Sequence, residues 1–89
     1  MPEKWTFSRV KIGNKTVRQL GKRVRKLRLQ RHWSQQYLAS LIDVEQAYIS
    51  SIERGEYGPS VRRIAEIAAA FDMTLSELFE GIGPNQKGK

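Results

Sequence analysis

Residues 34–60, SQQYLASLIDVEQAYISSIERGEYGPS, read as two short helices joined by a tight turn. Ser34 supplies a hydroxyl that can accept an orphan backbone N–H at a helix start, and Leu38, Leu41 and Ile42 follow on one face. Trp33 before the cap and Leu38 at the fourth helical position make a hydrophobic staple. Only Asp43 and Val44 separate this helix, about 35–42, from the next, about 45–54. The inward positions of that second helix are Val44, Tyr48, Ile49 and Ile52, and Gly55 ends it. A link this short cannot turn two helices antiparallel. They cross steeply, and a third element has to hold the second one in place.

Upstream, Val17, Leu20, Val24 and Leu27 recur at steps of three, four and three, the pattern of an amphipathic helix over about 17–31. Its other faces carry Arg18, Lys22, Arg23, Arg25, Lys26 and Arg31. Downstream, Gly58 and Pro59 forbid helix continuation, and Ser60 caps a fourth helix. Val61, Ile64, Ala65, Ile67, Ala68 and Phe71 form its expected buried stripe, and the run Ala68, Ala69, Ala70 permits close helix contact. Thr74-Leu75-Ser76-Glu77 is a capping box, with Met73 and Leu78 as its staple, and opens a short fifth helix ending near Glu80. The expected fold is therefore all-α: a compact five-helix domain over 17–80, an N-terminal arm over 1–16 and a flexible tail over 81–89. Within the arm, Lys4–Ile12 has strand-like residues before a Gly13-Asn14 turn, and reads equally as an edge strand, an arm or an unstructured segment. The tail, GIGPNQKGK, has the composition of a disordered segment.

A chain of 89 residues supports one domain with one modest core. It has no cysteine, which excludes disulfides and thiolate metal sites and suits a reducing compartment, the cytoplasm. No apolar run approaches the roughly 18 residues of a membrane span, and the N-terminus lacks the apolar core of a signal peptide. The net charge of +7 is unevenly spread. Lys4–Ile42 holds eleven Lys or Arg and no acid, whereas Asp43–Glu80 holds eight acids against Arg54, Arg62 and Arg63. A basic first half suits a polyanion, because Lys and Arg release counterions from phosphates; the acidic half suits a face turned away from it. A solvated basic helix face is the plainer explanation of the same charges.

With these residues in place, the chain resembles the phage-repressor and Cro-like helix-turn-helix family, also called XRE, across Val17–Glu80. The resemblance is carried by LGKRVRKLRLQ, SQQYLA, YISSIERGEYGPS and IAAAFDMTLSELF, in family order and spacing. It implies a double-stranded DNA partner, with helix three in the major groove and helix two across the backbone above it. Carried over by position, Gln35 is expected to bind a phosphate, and base contacts fall to Glu45, Gln46, Ala47, Ser50 and Ser51. Gln46 suits bidentate pairing with adenine, Glu45 can accept from cytosine N4, and Ala47 can meet a thymine methyl. Tyr48, Arg54, Tyr57 and the Gly58 amide are expected on the phosphate backbone. Arg28 and Glu53 occupy the positions of a buried structural ion pair tying helix one to helix three. Members pair through helices four and five, which assigns Phe71, Leu75, Phe79 and Ile82 to a homodimer interface.

The chain also departs from the family. His32 stands where helix one usually ends in glycine, Asp43 replaces the glycine between helices two and three, and Glu45 replaces the usual Ser or Thr cap. Glu45 suits the helix dipole but repels phosphate, so it is either a discriminating base contact or a residue turned away. Lys4, Arg9, Lys11 and Lys15 fit either a minor-groove arm or a solvated tail.

The resemblance implies a sequence-specific transcriptional regulator, a repressor by preference, acting as a homodimer on a near-palindromic operator with half-sites roughly 34 Å apart. A bacterial or phage protein at the nucleoid is the corresponding location. With no ligand domain expected after Glu80, control would come from concentration, a partner or operator arrangement. The alternative is an autoregulating antitoxin with a toxin partner, or a restriction-modification controller. An enzyme fails on inventory: one histidine, no cysteine, no clustered carboxylates and no phosphate loop, so no catalytic residue, metal or cofactor is expected. RNA binding lacks an aromatic sheet platform.

Overall fold

The computed structural model describes residues 12–83, and shows five helices and no strand among them. They are α1 (Ile12–Gln30), α2 (Gln35–Leu41), α3 (Gln46–Glu53), α4 (Val61–Ala70) and α5 (Leu75–Leu78). Residues 1–11, with most of the strand-like segment and Lys4, Arg9 and Lys11, and the tail residues 84–89 lie outside this range. Two boundaries differ from expectation. The backbone of Gly13 and Asn14 belongs to α1 rather than to a turn. Once a helix exists, each added residue gains a backbone hydrogen bond, which here outweighs the turn preference of that pair. At the other end, residues 81–83 fold back: Ile82 packs partly buried against the core, its N–H bonding to the Phe79 carbonyl (2.9 Å), and Gly83 N–H donates to Gln19 Oε1 (3.1 Å).

One core joins all five helices. Leu20, Val24 and Leu27 of α1 meet Leu38 and Ala39 of α2, Ile49 and Ile52 of α3, Ile64, Ile67 and Ala68 of α4, and Leu78 of α5, with Ile42 and Phe71 completing it. The expected stripes shrink in three places. Leu41 is exposed, Ala65 lies 100° round from Ile64 and off the buried phase, and Val61 is 73% exposed in the first turn of α4. Phe71 moves the other way. It is 1% exposed, its ring stacked on Trp33 (centroids 5.6 Å apart), so it belongs to the core and is withdrawn from any dimer surface. Its phase, three and four residues beyond Ala68 and Ile67, carries the buried stripe past the end of α4.

Helix starts follow the sequence closely. Ser34, Ser60 and Thr74 hydroxyls accept from Tyr37, Arg63 and Glu77 N–H, and Glu77 completes the capping box by accepting from Thr74 N–H (2.9 Å). Helix ends share a device that the sequence shows openly only at Gly55. After α1, α2, α3 and α4, one residue turns left-handed, at His32, Asp43, Gly55 and Asp72, with φ between 60° and 74°. The next N–H then returns to the last turn: Trp33 to Arg28, Val44 to Ala39, Glu56 to Ser51 and Met73 to Ala68. His32 and Asp43 thus adopt the backbone that their missing glycines would have taken.

Gly21 sets the distance between α1 and α3. A Cβ there would collide with the Ile52 carbonyl oxygen and lie 2.9 Å from that of Glu53. Both are backbone atoms at the end of α3, so the helices cannot part locally without disturbing the cap that follows. Gly21→Ala is expected to destabilise the fold by about 1–3 kcal/mol through overpacking, although alanine is the better helix former. Thermal unfolding followed by circular dichroism checks this, and a rise in melting temperature would contradict the close approach.

Candidate nucleic-acid interface

The interface is organised from the buried end of α3. Glu53 and Arg28 are 9% and 6% exposed, and the guanidinium meets the carboxylate through two bonds, Nε to Oε2 (2.7 Å) and Nη2 to Oε1 (3.0 Å). The hydrogen bond to Glu53 raises the Arg28 pKa above its ordinary value, so the guanidinium stays charged. Arg28 Nη1 donates further to the Trp33 carbonyl (2.7 Å), which binds the same side chain to the start of α2. The expected structural pair is therefore present, and it joins α1, α2 and α3 together.

From that pair a chain of hydrogen bonds runs outward. Glu53 Oε1 accepts from Gln35 Nε2 (3.0 Å), and Gln35 Oε1 accepts from Gln46 Nε2. Gln35 sits at the first position of α2, Gln46 at the first position of α3, and the bond between them closes the angle between the two helices. Arg25, Arg28, Ser34, Gln35, Gln36 and Gln46 line the polar groove that results.

The remaining candidates on α3 divide by what already occupies them. Glu45 is the N-cap by backbone conformation but makes no side-chain capping bond, and it is exposed beside Gln46 and Ala47. Ser51 is half-buried, its hydroxyl donating to the Tyr48 carbonyl (2.8 Å). Ser50 accepts from Arg54 Nη1, while Arg54 Nε and Nη2 each donate to Glu56 at 2.9 Å. That exposed pair lowers the Glu56 carboxyl, chiefly through the hydrogen bond from Arg54. Tyr48 packs half-buried against the core with its ring edge-on to Tyr57, centroids 5.4 Å apart, and burial, then Tyr57, push its phenol pKa up. A neutral hydroxyl donor is the consequence. Tyr57 and Gly58 are exposed in the loop after α3, and of the expected contact residues the structure brings Gln35 and Gln46 together in one groove and pairs Ser50 with Arg54. Leu75 is exposed on α5, whereas Phe79 and Ile82 are half-buried against the core.

Two groups of residues escaped the sequence reading. Arg23 Nε and Nη2 donate to the Leu78 and Glu77 carbonyls (3.0 and 2.7 Å), and Arg31 Nη2 donates to that of Phe71 (3.0 Å) with its guanidinium over the Phe71 ring. These α1 arginines close the C-terminal ends of α5 and α4. The other omission is Arg25, which lies in the polar groove. Its spacing of three residues from Arg28 places both on one side of α1, a signal present in the sequence.

A five-helix domain with a steeply crossed helix pair, the outer end of its third helix tied to the first position of its second, is a helix-turn-helix domain. Residues 24–78 match the HTH_3 helix-turn-helix family. A control protein, C.MunI, from Mycoplasma is 40% identical over 63 residues, which cover 70% of this chain and 85% of that protein. A competence pilus inhibition repressor from Acinetobacter baylyi is 35% identical over 60 residues, 67% of this chain but 54% of the repressor, so the chain spans about half its length. Among solved structures, the restriction-modification controller C.AhdI from Aeromonas hydrophila superposes with a TM-score of 0.67 at 35% identity, over 71% of this chain and 91% of that one. The chain belongs to the HTH_3, XRE-type helix-turn-helix family, a family of DNA-binding regulators. No helix of the described residues is long and apolar enough to cross a membrane.

The ion pair is the feature whose loss should be felt first. Glu53→Ala leaves Arg28 charged and buried, and is expected to cost about 3–5 kcal/mol. The double variant Arg28→Met with Glu53→Leu should recover most of that loss, because no unpaired charge remains. Urea denaturation of the wild type and both variants measures the difference. Equal losses in the single and double variants would mean that packing, not charge, holds α1 to α3.

Proposed function

We propose that this protein is a sequence-specific transcriptional regulator of the restriction-modification controller type, a repressor acting in the cytoplasm as a homodimer on a near-palindromic operator. The observation that carries the reading is the outer end of α3. Gln46 and Ala47 are exposed there, and Gln46 is held by Gln35 to the buried Arg28–Glu53 pair, so a reading group projects from a rigid support. Gln46 pairs with an adenine edge, Ala47 and Ser50 flank it, and Gln35, Arg54, Tyr57 and the Gly58 amide hold the backbone. Ser51 and Tyr48 serve mainly to position α3, since the hydroxyl of one and the ring of the other are engaged internally. Glu45, with no capping bond of its own, rejects operators that bring a phosphate or an acceptor edge against it.

One α3 reads only a few base pairs, so two copies are needed for a useful specificity. Leu75, with the outer edges of Phe79 and Ile82, supplies the apolar contact between copies. The controller type is supported by the similarity to two controllers, which the chain matches over 85% and 91% of their lengths at 40% and 35% identity.

The first experiment is binding to the DNA upstream of the protein's own coding sequence and to a scrambled duplex of equal length, at two salt concentrations. A preference of about a thousandfold or more at physiological salt is expected. Equal, steeply salt-dependent binding to both would leave only the phosphate contribution and would defeat the reading. Within a specific complex, Gln46→Ala should weaken binding at one or two base positions, by about 1–3 kcal/mol for a lost bidentate pair. Gln35→Ala should weaken it on all sequences. A base-substituted operator series separates the two, and uniform losses from both variants would displace the recognition surface from the start of α3.

A further inference from the structure

Glu53 carries one negative charge and faces two arginines. Arg28 meets it through the bidentate pair, buried and complete in itself. Arg25 Nη1 reaches the same Oε1 atom only at 4.0 Å, with its side chain 58% exposed. That oxygen already accepts from Arg28 and Gln35. The carboxylate is thus saturated by shorter bonds, and the Arg25 charge stands beside it largely uncompensated, in the groove that also contains Gln35 and Gln46.

We propose that Arg25 is a phosphate-binding residue, and that a DNA backbone phosphate beside the base read by Gln46 is the anion that completes the Arg25–Arg28–Glu53 cluster. The inference rests on the DNA-binding reading and deepens it, adding a contact from α1 to those of α2 and α3. Three features favour this ligand. The cluster has a net charge of +1, and Arg25 borders the groove where α3 presents Gln46 as well as the one it shares with Lys22 and Lys26. The guanidinium is planar and presents several N–H donors, so it can keep one toward Glu53 while turning others to a phosphate oxygen. The long-range contact to Glu53 restrains a side chain that would otherwise be free, which lowers the ordering cost of the phosphate contact. Lys26, on the same helix, provides the contrast. It lines two grooves shared with Lys22, one of which Arg25 also borders, but unlike Arg25 it does not reach the groove with Gln35 and Gln46.

The test compares wild type, Arg25→Ala, Arg25→Lys and Lys26→Ala on the upstream duplex and on the scrambled duplex, with salt varied over about a decade. Arg25→Ala should reduce affinity about tenfold on both duplexes at low salt and make the slope of log K against log salt shallower by about 1 per protomer bound. Arg25→Lys should keep the slope, and Lys26→Ala should leave it as in the wild type. Thermal melts of the four proteins should agree closely, since both positions are exposed. An unchanged slope in Arg25→Ala, or equal changes in Arg25→Ala and Lys26→Ala, overturns the inference while leaving the regulator reading intact if the upstream duplex is still preferred. A wild type with no preference for the upstream duplex defeats the regulator reading, and one that binds neither duplex overturns both.

Discussion

The Arg28–Glu53 pair holds the architecture together because it is buried and asymmetric in what it joins. Its arginine stands late in α1 and its carboxylate is the last residue of α3, so the pair fixes the inner end of α3 against α1, the longest of the described helices. Desolvating two charges is costly, and a bidentate geometry with an additional bond from Arg28 to the Trp33 carbonyl and one from Gln35 to Glu53 is what offsets that cost. An apolar pair would pack at least as well. It would not, however, offer an acceptor to Gln35, and the support for Gln46 would end in the core.

The same pair changes how the positive charge of α1 is understood. From the sequence, Arg18, Lys22, Arg23, Arg25, Lys26 and Arg31 read as basic faces of α1, suited to a polyanion or simply solvated, and Arg28 as part of a buried pair. In the fold, Arg23 and Arg31 turn to the carbonyls ending α5 and α4, and Arg28 enters the core. These three charges mainly satisfy helix ends and one buried carboxylate. Arg18, Lys22, Arg25 and Lys26 remain on the surface, and of these only Arg25 borders the groove with Gln46. Net charge alone therefore overstates how much of α1 is available to phosphate.

Much of the fold was legible because its signals are local. Ser34, Ser60 and Thr74 start helices through bonds to N–H groups three residues away, and the apolar period of α1 is nearly unbroken. The helix ends were less legible, since His32, Asp43 and Asp72 carry no glycine and only the completed fold makes their left-handed backbone worthwhile. Phe71 shows the corresponding difficulty in the core. An aromatic residue at the end of a helix is equally suited to an interior and an interface, and its stacking on Trp33, thirty-eight residues away in sequence, decides between them. The positions proposed for the site come from the family resemblance, which is silent on their internal partners. Nothing in the order of residues says that Ser51 bonds back to Tyr48 or that Arg54 is shared between Ser50 and Glu56.

Those partners constrain how this surface can vary. Of the residues proposed to read bases, Gln46 is the most deeply tied to the fold, because its amide continues a bond path from Glu53 through Gln35. Such preorganisation lowers the ordering cost of binding, yet a replacement at 46 also frees Gln35 and loosens the angle between α2 and α3. Ala47 has no such obligation: its side chain is exposed and too short to share in the path. Ser50 lies between these cases, since changing it releases Arg54 toward Glu56 or toward phosphate. On the proposed contacts, a shift in operator preference is therefore easiest through Ala47, harder through Ser50, and hardest through Gln46, where the proposed reading and the geometry of the helix pair rest on the same amide.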